Sequence, residues 1–267
     1  MTNKLKIGII GCGAIGMKTA EYIVTELREK TELVGLYDKD PDKLSALKRI
    51  ASGKIVTDLD GILKEADLIV EAASKEAVRD LIPRIVQYNK DLIVISVGAF
   101  VVYPEILEMT KQCKGNIYVP SGAIIGIDGL NSLRFGNVRS LTLTTAKPPR
   151  SLKGVKTADG EAVESVKEEK VLFEGDIMQA IKLFPRNINV AATIFLASRY
   201  ENVKVIVKVN PALERNTHRI EIDAEEAKMR VEVENIPSKD NPRTSYLTIL
   251  SIKSILQRIT SNLKIGS

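Results

Sequence analysis

Three glycines near the start of the chain have the spacing of a loop that approaches a phosphate. They form Gly11-x-Gly13-x-x-Gly16, between a short apolar run and a pattern typical of a helix. In such a loop Gly11 makes the tight turn, Gly13 lets a pyrophosphate approach the backbone, and Gly16 lets the helix pack closely on the strand. Ala14 and Ile15 then lie at the helix N-terminus, where amide groups bind phosphate. The spacing predicts a dinucleotide-binding strand–turn–helix unit.

An acidic residue at the end of the next apolar run strengthens this interpretation. Asp38 follows the glycines by about 20 residues, where a carboxylate accepts hydrogen bonds from the adenine ribose hydroxyls. Its charge repels a 2′-phosphate and therefore favours NAD. Lys39 comes directly after it and can pair with that phosphate, so we expect the chain to use both NAD and NADP.

The sequence contains a single histidine, His218, in a segment that alternates polar and apolar residues. The alternation places it on the strand face that also carries Ile220 and Ile222. An imidazole has an ordinary pKa of about 6.5 and suits a proton transfer coupled to hydride transfer. His218 is therefore the candidate acid/base. A packed core histidine bonded to a backbone carbonyl is the alternative.

Two polar loops supply further candidates. Ser121 follows a predicted strand at its carboxyl edge, so its loop can present backbone amides to a ligand or act as a hinge between domains. Asn189 precedes an apolar helical pattern and is either an N-cap or a ligand-binding residue. We predict no metal site, because one histidine and two distant cysteines cannot form a zinc site.

The elements that must position these residues fall into two patterns. Residues 1–120 alternate apolar strands with amphipathic helices, which predicts an α/β domain with a Rossmann-type, doubly wound parallel sheet. Within it we predict a strand over 54–56 and a helix over 75–88 with Ser74 as its N-cap. Ligands of such sheets bind at the carboxyl ends of the strands.

The apolar pattern changes to period two around residue 120, so residues 121–240 are predicted to form a second, α+β domain for catalysis and dimerisation. We expect an open sheet, mixed or antiparallel, with one face toward solvent and helices on the other. Residues 151–170 are polar and charged and are expected to form a surface excursion. Residues 241–267 are predicted to form a C-terminal helix that returns to the first domain.

The composition argues against several classes of protein. The chain has 267 residues, of which 44% are hydrophobic and 27% charged, and this is ordinary for a globular protein. Its net charge of +5 comes from interleaved basic and acidic residues, so we expect no nucleic-acid partner. No apolar run approaches the roughly 18 residues of a membrane span. Two cysteines, Cys12 and Cys113, do not make a disulfide framework and favour a cytoplasmic location.

The motifs, taken together, resemble those of the L-aspartate dehydrogenases of archaeal and bacterial type. The matching segments span nearly the whole chain: Gly11-Cys-Gly-Ala-Ile-Gly16, Ser96-Val-Gly-Ala99, Pro120-Ser-Gly-Ala-Ile-Ile-Gly-Ile-Asp-Gly129, Lys147-Pro-Pro149, Phe173-Glu-Gly-Asp176, Phe184-Pro-Arg-Asn-Ile-Asn-Val-Ala-Ala192, Asn216-Thr-His218, Glu234-Asn-Ile-Pro237 and Asn241-Pro-Arg-Thr-Ser245. The resemblance implies that His218 is the active-site residue and that Ala123 and Asn189 contact the dinucleotide. It also implies a homodimer built on the sheet of the second domain.

The same resemblance implies NAD(P)-dependent oxidation of L-aspartate to iminoaspartate, which feeds NAD biosynthesis. The two carboxylates of this substrate need cationic or hydrogen-bonding groups, and the candidates are Ser121, Lys147, Arg243, Thr244 and Ser245. Ala146 departs from the family pattern, which has a basic residue at that position. Two alternatives remain open: another NAD(P)-dependent enzyme of amino-acid pathways, such as homoserine dehydrogenase, or a sensor that binds dinucleotide without turnover.

Overall fold

The fold was analysed in a computed structural model, which describes residues 4–48, 58–157, 160–184, 188–238, 241 and 244–266. The chain divides into two compact units. Unit 1 comprises Met1–Pro120 and Ile249–Ile265, and unit 2 comprises Ser121–Thr248 and Gly266–Ser267. The strand predicted over 54–56 and the candidate Arg243 lie outside the described residues.

Unit 1 contains a five-stranded parallel sheet. Its elements are β1 (Leu5–Ile10), α1 (Ala14–Thr25), β2 (Thr31–Tyr37), α2 (Pro41–Lys48), α3 (Leu59–Glu65), β3 (Leu68–Glu71), α4 (Lys75–Tyr88), β4 (Asp91–Val94), α5 (Ala99–Val102), α6 (Pro104–Thr110) and β5 (Ile117–Tyr118). The strand order is β2-β1-β3-β4-β5, and every described pair is parallel. The chain thus leaves β1 on one side to form β2 and returns on the other to form β3, which places a ligand-binding crevice at the carboxyl ends of β1 and β3. The predicted fold class is confirmed.

Unit 2 contains a five-stranded mixed sheet. Its elements are α7 (Ile127–Leu133), β6 (Val138–Lys147), β7 (Lys170–Asp176), α8 (Ile177–Leu183), α9 (Ile188–Ser198), β8 (Lys204–Val209), β9 (Asn216–Ala224), β10 (Lys228–Asn235) and the first residues of α10 (Tyr246–Ile259). The strand order is β10-β9-β6-β8-β7, in which β6 and β8 are parallel and the other neighbours antiparallel. Apolar side chains of β6 and β8 lie against α8 and α9, whereas the opposite face carries charged side chains.

Local sequence signals account for several element boundaries. The helix predicted over 75–88 is α4, and Ser74 Oγ caps it by accepting a hydrogen bond from the Ala77 amide at 3.2 Å. The later part of α10 belongs to unit 1, where Ile252 and Leu256 are fully buried in the same apolar cluster as Ile7 of β1. Within the described ranges, no helix combines the length and the apolar character needed to cross a membrane.

Two expectations about unit 2 are corrected. Residues 151–170 are not only a surface excursion, because Leu152, Val163 and Val166 form a buried apolar cluster with Val209 of β8. The charged residues of this segment hide that short apolar pattern in the sequence. Asn189 is not an N-cap, because α9 begins at Ile188 and Asn189 already lies in its first turn, with an exposed side chain.

Candidate functional site

The glycine loop of unit 1 has the shape that its spacing predicts. Gly11 has a φ of +100°, and a Cβ there would lie 2.5 Å from the backbone of Ala72. A Cβ on Gly16 would lie 1.9 Å from the carbonyl oxygen of Gly11. Around Gly13, in contrast, no described atom lies within 4 Å of the Cβ position. Two glycines are therefore required by contacts within the chain, and the third leaves open space next to the loop.

This open space lies at the N-terminus of α1. The helix begins at Ala14, and its first backbone hydrogen bond runs from the Met17 amide to the Gly13 carbonyl at 2.9 Å. The preceding amides of the first turn, which include Ala14 and Ile15, have no partner within a helix and carry the positive end of its dipole. Because Gly13 has no side chain to cap them, a pyrophosphate fits here.

Asp38 follows β2 and is tied to the glycine loop. Its Oδ2 accepts a hydrogen bond from the Cys12 amide at 2.7 Å, and its Oδ1 accepts one from the Asp40 amide at 2.9 Å. Each carboxylate oxygen can accept a further bond, so the carboxylate can also bind a ribose. Lys39 is exposed beside it. Burial, with the Asp38 charge, raises the pKa of the Cys12 thiol to about 12, so the thiol stays protonated.

In unit 2, His218 of β9 lies opposite Thr145 of β6 in the antiparallel register. Thr145 Oγ1 is 3.0 Å from His218 Nδ1, and His218 is only 7% exposed. Lys147 lies two residues further along β6, so strand alternation turns its side chain to the same face, where it is also only 7% exposed. The predicted face for His218, shared with Ile220 and Ile222, is confirmed by the burial of all three side chains.

The electrostatics of this cluster correct the expectation of an ordinary imidazole. Burial, with the charge of Lys147, lowers the pKa of His218 from 6.5 to about 3. Burial lowers the pKa of Lys147 from 10.5 to about 8. At neutral pH the cluster therefore holds a neutral imidazole beside a mostly protonated ammonium group, because burial penalises each charge. The positive charge of this site is therefore carried by Lys147, on the neighbouring strand, and not by His218.

Asn235, the last residue of β10, connects two predicted site residues to this region. Its Nδ2 donates a hydrogen bond to the Ala123 carbonyl at 3.0 Å, and its Oδ1 accepts one from Ser245 Oγ. It is 3% exposed and pairs in register with Asn216, two residues before His218. Ala123 and Ser245 are thereby held at the end of the sheet where β9 begins.

Unpartnered polar atoms lie at the same end of β9. Among the described residues, the buried Asn216 Oδ1 and Thr217 Oγ1 have no hydrogen-bond partner. Because a buried polar atom without a partner is costly, such atoms indicate a place where a ligand supplies the missing bond. Asn216 lies on the same strand face as His218, whereas Thr217, which pairs with Ala146, lies on the opposite face, so the Asn216 oxygen marks a polar position beside His218.

The other predicted residues lie on separate segments of unit 2. Ser121 precedes a turn in which the Ile124 amide donates to its carbonyl at 3.3 Å. The Thr244 carbonyl accepts a hydrogen bond from the Ser238 amide at 2.7 Å, next to the bridge between Pro237 and Ser245. The ligand contacts assigned to Ser121 and Thr244, and to Asn189 in α9, stay predictions.

Sequence reasoning missed Thr145 and Asn235. The alternating run over 140–145 carried a signal for Thr145, because a threonine on the apolar face of a strand needs a partner. Asn235 lies in a segment that the family resemblance already included, but its position opposite Asn216 follows only from the strand register.

Two family models match this chain. Residues 11–120 match the family model described as "Homoserine dehydrogenase, NAD binding domain", and residues 128–259 match "Aspartate dehydrogenase, C-terminal". The L-aspartate dehydrogenase of Methanosarcina barkeri is 39% identical, over 98% of this chain and 100% of that protein. The L-aspartate dehydrogenase of Methanocaldococcus jannaschii is 34% identical over the same shares of the two chains.

Solved structures give the same picture. The crystal structure of aspartate dehydrogenase from Thermotoga maritima has a TM-score of 0.79 and 32% identity, and the match covers 99% of this chain and 100% of that one. Apo scyllo-inositol dehydrogenase from Lactobacillus casei has a TM-score of 0.59 at 12% identity, over 100% of this chain and 91% of that one, and shares the fold alone. The glycine loop, the parallel sheet and the mixed sheet thus define an oxidoreductase that uses a nicotinamide dinucleotide. At this level of identity over its full length, the chain belongs to the L-aspartate dehydrogenase family.

The position of Asp38 predicts how a substitution shifts cofactor choice. In Asp38→Asn the amide oxygen can still accept the Cys12 bond, while the charge that repels a 2′-phosphate is lost. We expect the ratio of the dissociation constants for NADPH and NADH, measured by fluorescence titration, to fall at least about tenfold. Asp40→Asn, which removes a neighbouring charge, is the control. Equal changes for both cofactors in Asp38→Asn would show that Asp38 does not recognise the ribose.

Proposed function

We propose that the chain oxidises L-aspartate with NAD or NADP, giving iminoaspartate, which hydrolyses to oxaloacetate and ammonia. The buried cluster of Thr145, Lys147 and His218 carries this proposal, because it offers a cation and a proton acceptor on one sheet face. The cluster lies in the part of the chain that matches the aspartate dehydrogenase family model, and the relatives described above have this activity in their names.

Lys147 is the group best suited to one carboxylate of the substrate. Lys147 as a residue is only 7% exposed, so a carboxylate that reaches its ammonium group forms a strong, charge-assisted hydrogen bond. Ser121 and Thr244 are the hydroxyl donors that we propose for the substrate's remaining oxygens. The hydroxyl of Ser245 donates to Asn235 Oδ1, so the substrate contact that we propose for Ser245 requires this bond to be given up. Ala146, where the family has a basic residue, lies on the opposite face of β6 and is not part of this cluster.

His218 is the group that we propose to accept the proton of the substrate amine. When Nδ1 carries the imidazole hydrogen and donates it to Thr145 Oγ1, the lone pair of Nε2 is available as a base. A substrate carboxylate beside Lys147 offsets the positive charge that lowers the pKa of His218, so binding makes the imidazole a better base. The amine loses its proton to Nε2, the α-carbon loses a hydride, and the carbon–nitrogen double bond forms.

The dinucleotide supplies the hydride acceptor. We propose that it is held in unit 1 by Gly11, Gly13, Ala14, Ile15 and Gly16, with Asp38 and Lys39 at the adenine ribose. Ala123 and Asn189 are proposed as further contacts from unit 2, on the strength of the family resemblance. The Asn235 bond to the Ala123 carbonyl supports this for Ala123, because it fixes the backbone of that loop.

Assembly and context are part of the same proposal. The charged face of the mixed sheet has small side chains at Thr142, Thr144 and Ala146 beside cross-strand ion pairs such as Arg219 with Glu232. Pairing of this face with a second copy is what the family resemblance implies. The product, iminoaspartate, fits a role in NAD biosynthesis. A cytoplasmic location is supported by Cys12 and Cys113, both of which are free thiols.

The test is an assay of NADH and NADPH formation with L-aspartate, L-homoserine and 2-hydroxy acids. The homoserine arm is needed because the family model of the first domain carries that name. In L-aspartate turnover, His218→Asn should lower kcat roughly 10²- to 10⁴-fold, since it removes the base. NADH affinity and melting temperature should stay near the wild-type values. Arg219→Lys, at the next position but on the opposite face, is the control and should keep its rate.

Two results would contradict this proposal. Oxidation of L-homoserine and not of L-aspartate by the wild-type enzyme would show that the proposed substrate is wrong, and would leave the proposed cofactor site unaffected. A His218→Asn protein with a lower melting temperature but an unchanged turnover per folded molecule would show that His218 is a packed core residue.

Lys147 gives a prediction about pH. In Lys147→Met the side chain keeps its approximate shape but loses its charge, so the pKa of His218 rises. The acidic limb of kcat/KM, which requires a neutral imidazole, should then move to higher pH, although burial, the larger cause of the low pKa, remains. KM for L-aspartate should increase roughly ten- to a hundredfold, because a charge-assisted bond is lost. Lys208→Met, on the opposite face of the same sheet, should change neither quantity. An unchanged profile and KM would remove Lys147 from the site.

A further inference from the structure

A second buried ionisable group lies in unit 1, outside the residues assigned so far. Glu71 is the last residue of β3 and is 0% exposed. Its Oε1 accepts hydrogen bonds from the Ala73 amide at 2.8 Å and from Ser96 Oγ at 2.8 Å. Its Oε2 accepts hydrogen bonds from the amides of Ile95 at 3.1 Å and Ser96 at 2.9 Å. One carboxylate therefore ties together the segments that follow β3 and β4.

These bonds are made at a cost in desolvation. Burial raises the pKa of the Glu71 carboxyl, and the bonds from Ser96, Ala73 and Ile95 act in the opposite direction. Among the described residues no ion pair of Glu71 is present, so only hydrogen bonds compensate for burial. Such a group is expensive to keep in an apolar sheet, and a purely structural strand end does not need it.

The segment that Glu71 holds contacts the glycine loop directly. Glu71 pairs in register with Ile10, the last residue of β1. The next residue after β1 is Gly11. A Cβ built on Gly11 would lie 2.5 Å from the Ala72 carbonyl carbon and 2.6 Å from the Ala73 amide nitrogen, so the missing Cβ makes room for this backbone. The Ala73 amide is the one that donates to Glu71. Any shift of this segment therefore moves atoms that already touch the tight turn of the loop.

We propose that Glu71 is a positioning residue for dinucleotide binding, which fixes the β3 and β4 ends around the crevice at the carboxyl edge of the sheet. It acts through the Ala72–Ala73 backbone on Gly11, and through Ser96 on the β4 end. In a sheet of this topology the ligand crosses the edge between β1 and β3, which is the position that Glu71 occupies. The inference depends on dinucleotide binding and not on which substrate is oxidised.

The isosteric change Glu71→Gln tests this role. One end of the glutamine amide is an NH₂ group, and in either orientation it faces at least one backbone amide that needs an acceptor. We expect the dissociation constant for NADH, measured by fluorescence titration of the full chain without substrate, to rise about tenfold or more. Ser96→Ala removes one donor and leaves the carboxylate, so its effect should be smaller. Glu32→Gln, at an exposed position of β2, should bind NADH like the wild type.

Amide hydrogen exchange supplies a second readout, and its wild-type part needs no variant. In the wild-type chain without cofactor, the amides of Ala73 and Ser96 should exchange slowly, because Glu71 already holds them, and in Glu71→Gln they should exchange faster. Fast exchange of both amides in the wild-type chain would overturn the proposal, also where Glu71→Gln fails to fold. A folded Glu71→Gln protein that binds NADH with wild-type affinity would overturn it as well, whatever its melting temperature. Because no substrate is present, neither result depends on the proposed oxidation of L-aspartate.

Discussion

The pairing of β6 with β9 forces an imidazole and an ammonium group onto one buried sheet face, and the chemistry of unit 2 depends on this constraint. Burial disfavours a charge on either group, and the two positive charges also repel each other. The protein resolves the conflict by keeping the imidazole of His218 neutral and leaving the proton on Lys147. An anionic ligand beside Lys147 offsets the charge of the ammonium group and thereby removes its repulsion of a protonated imidazole. The basicity of the imidazole is therefore coupled to occupation of the site.

Unit 1 also holds charged side chains near its proposed binding site, and there they are carboxylates. Asp38 and Glu71 both end strands at the carboxyl edge of the parallel sheet, and both are held by backbone amides of the neighbouring segments. These bonds fix the loops while the amides at the start of α1 stay available for phosphate. The carboxylates fix the loops at the carboxyl edge of the sheet, and the N-terminus of α1 binds the phosphate.

The sequence predicts those parts of the site that local periodicity determines. The glycine spacing and the face of His218 are of this kind, as is the cap at Ser74, because each depends on residues a few positions apart. The low pKa of His218 comes first from burial and then from the charge of Lys147, which approaches through strand pairing and has no local signal. Glu71 looks like the end of an apolar strand in the sequence, and its four hydrogen-bond donors come from the segments that follow β3 and β4. The apolar cluster in 151–170 shows the same limit, since its packing partner Val209 is distant in the sequence.

The neutrality of the buried imidazole is the central claim, and His218 offers a direct measurement of it. As the only histidine in the sequence, it can be followed without ambiguity by an NMR titration of the untagged full chain. The account predicts a neutral imidazole in the free protein from about pH 8 down to about pH 5. With succinate bound as a substrate-like dicarboxylate, the midpoint should rise. Protonation of the free protein with a midpoint near the ordinary value of 6.5 would contradict the account.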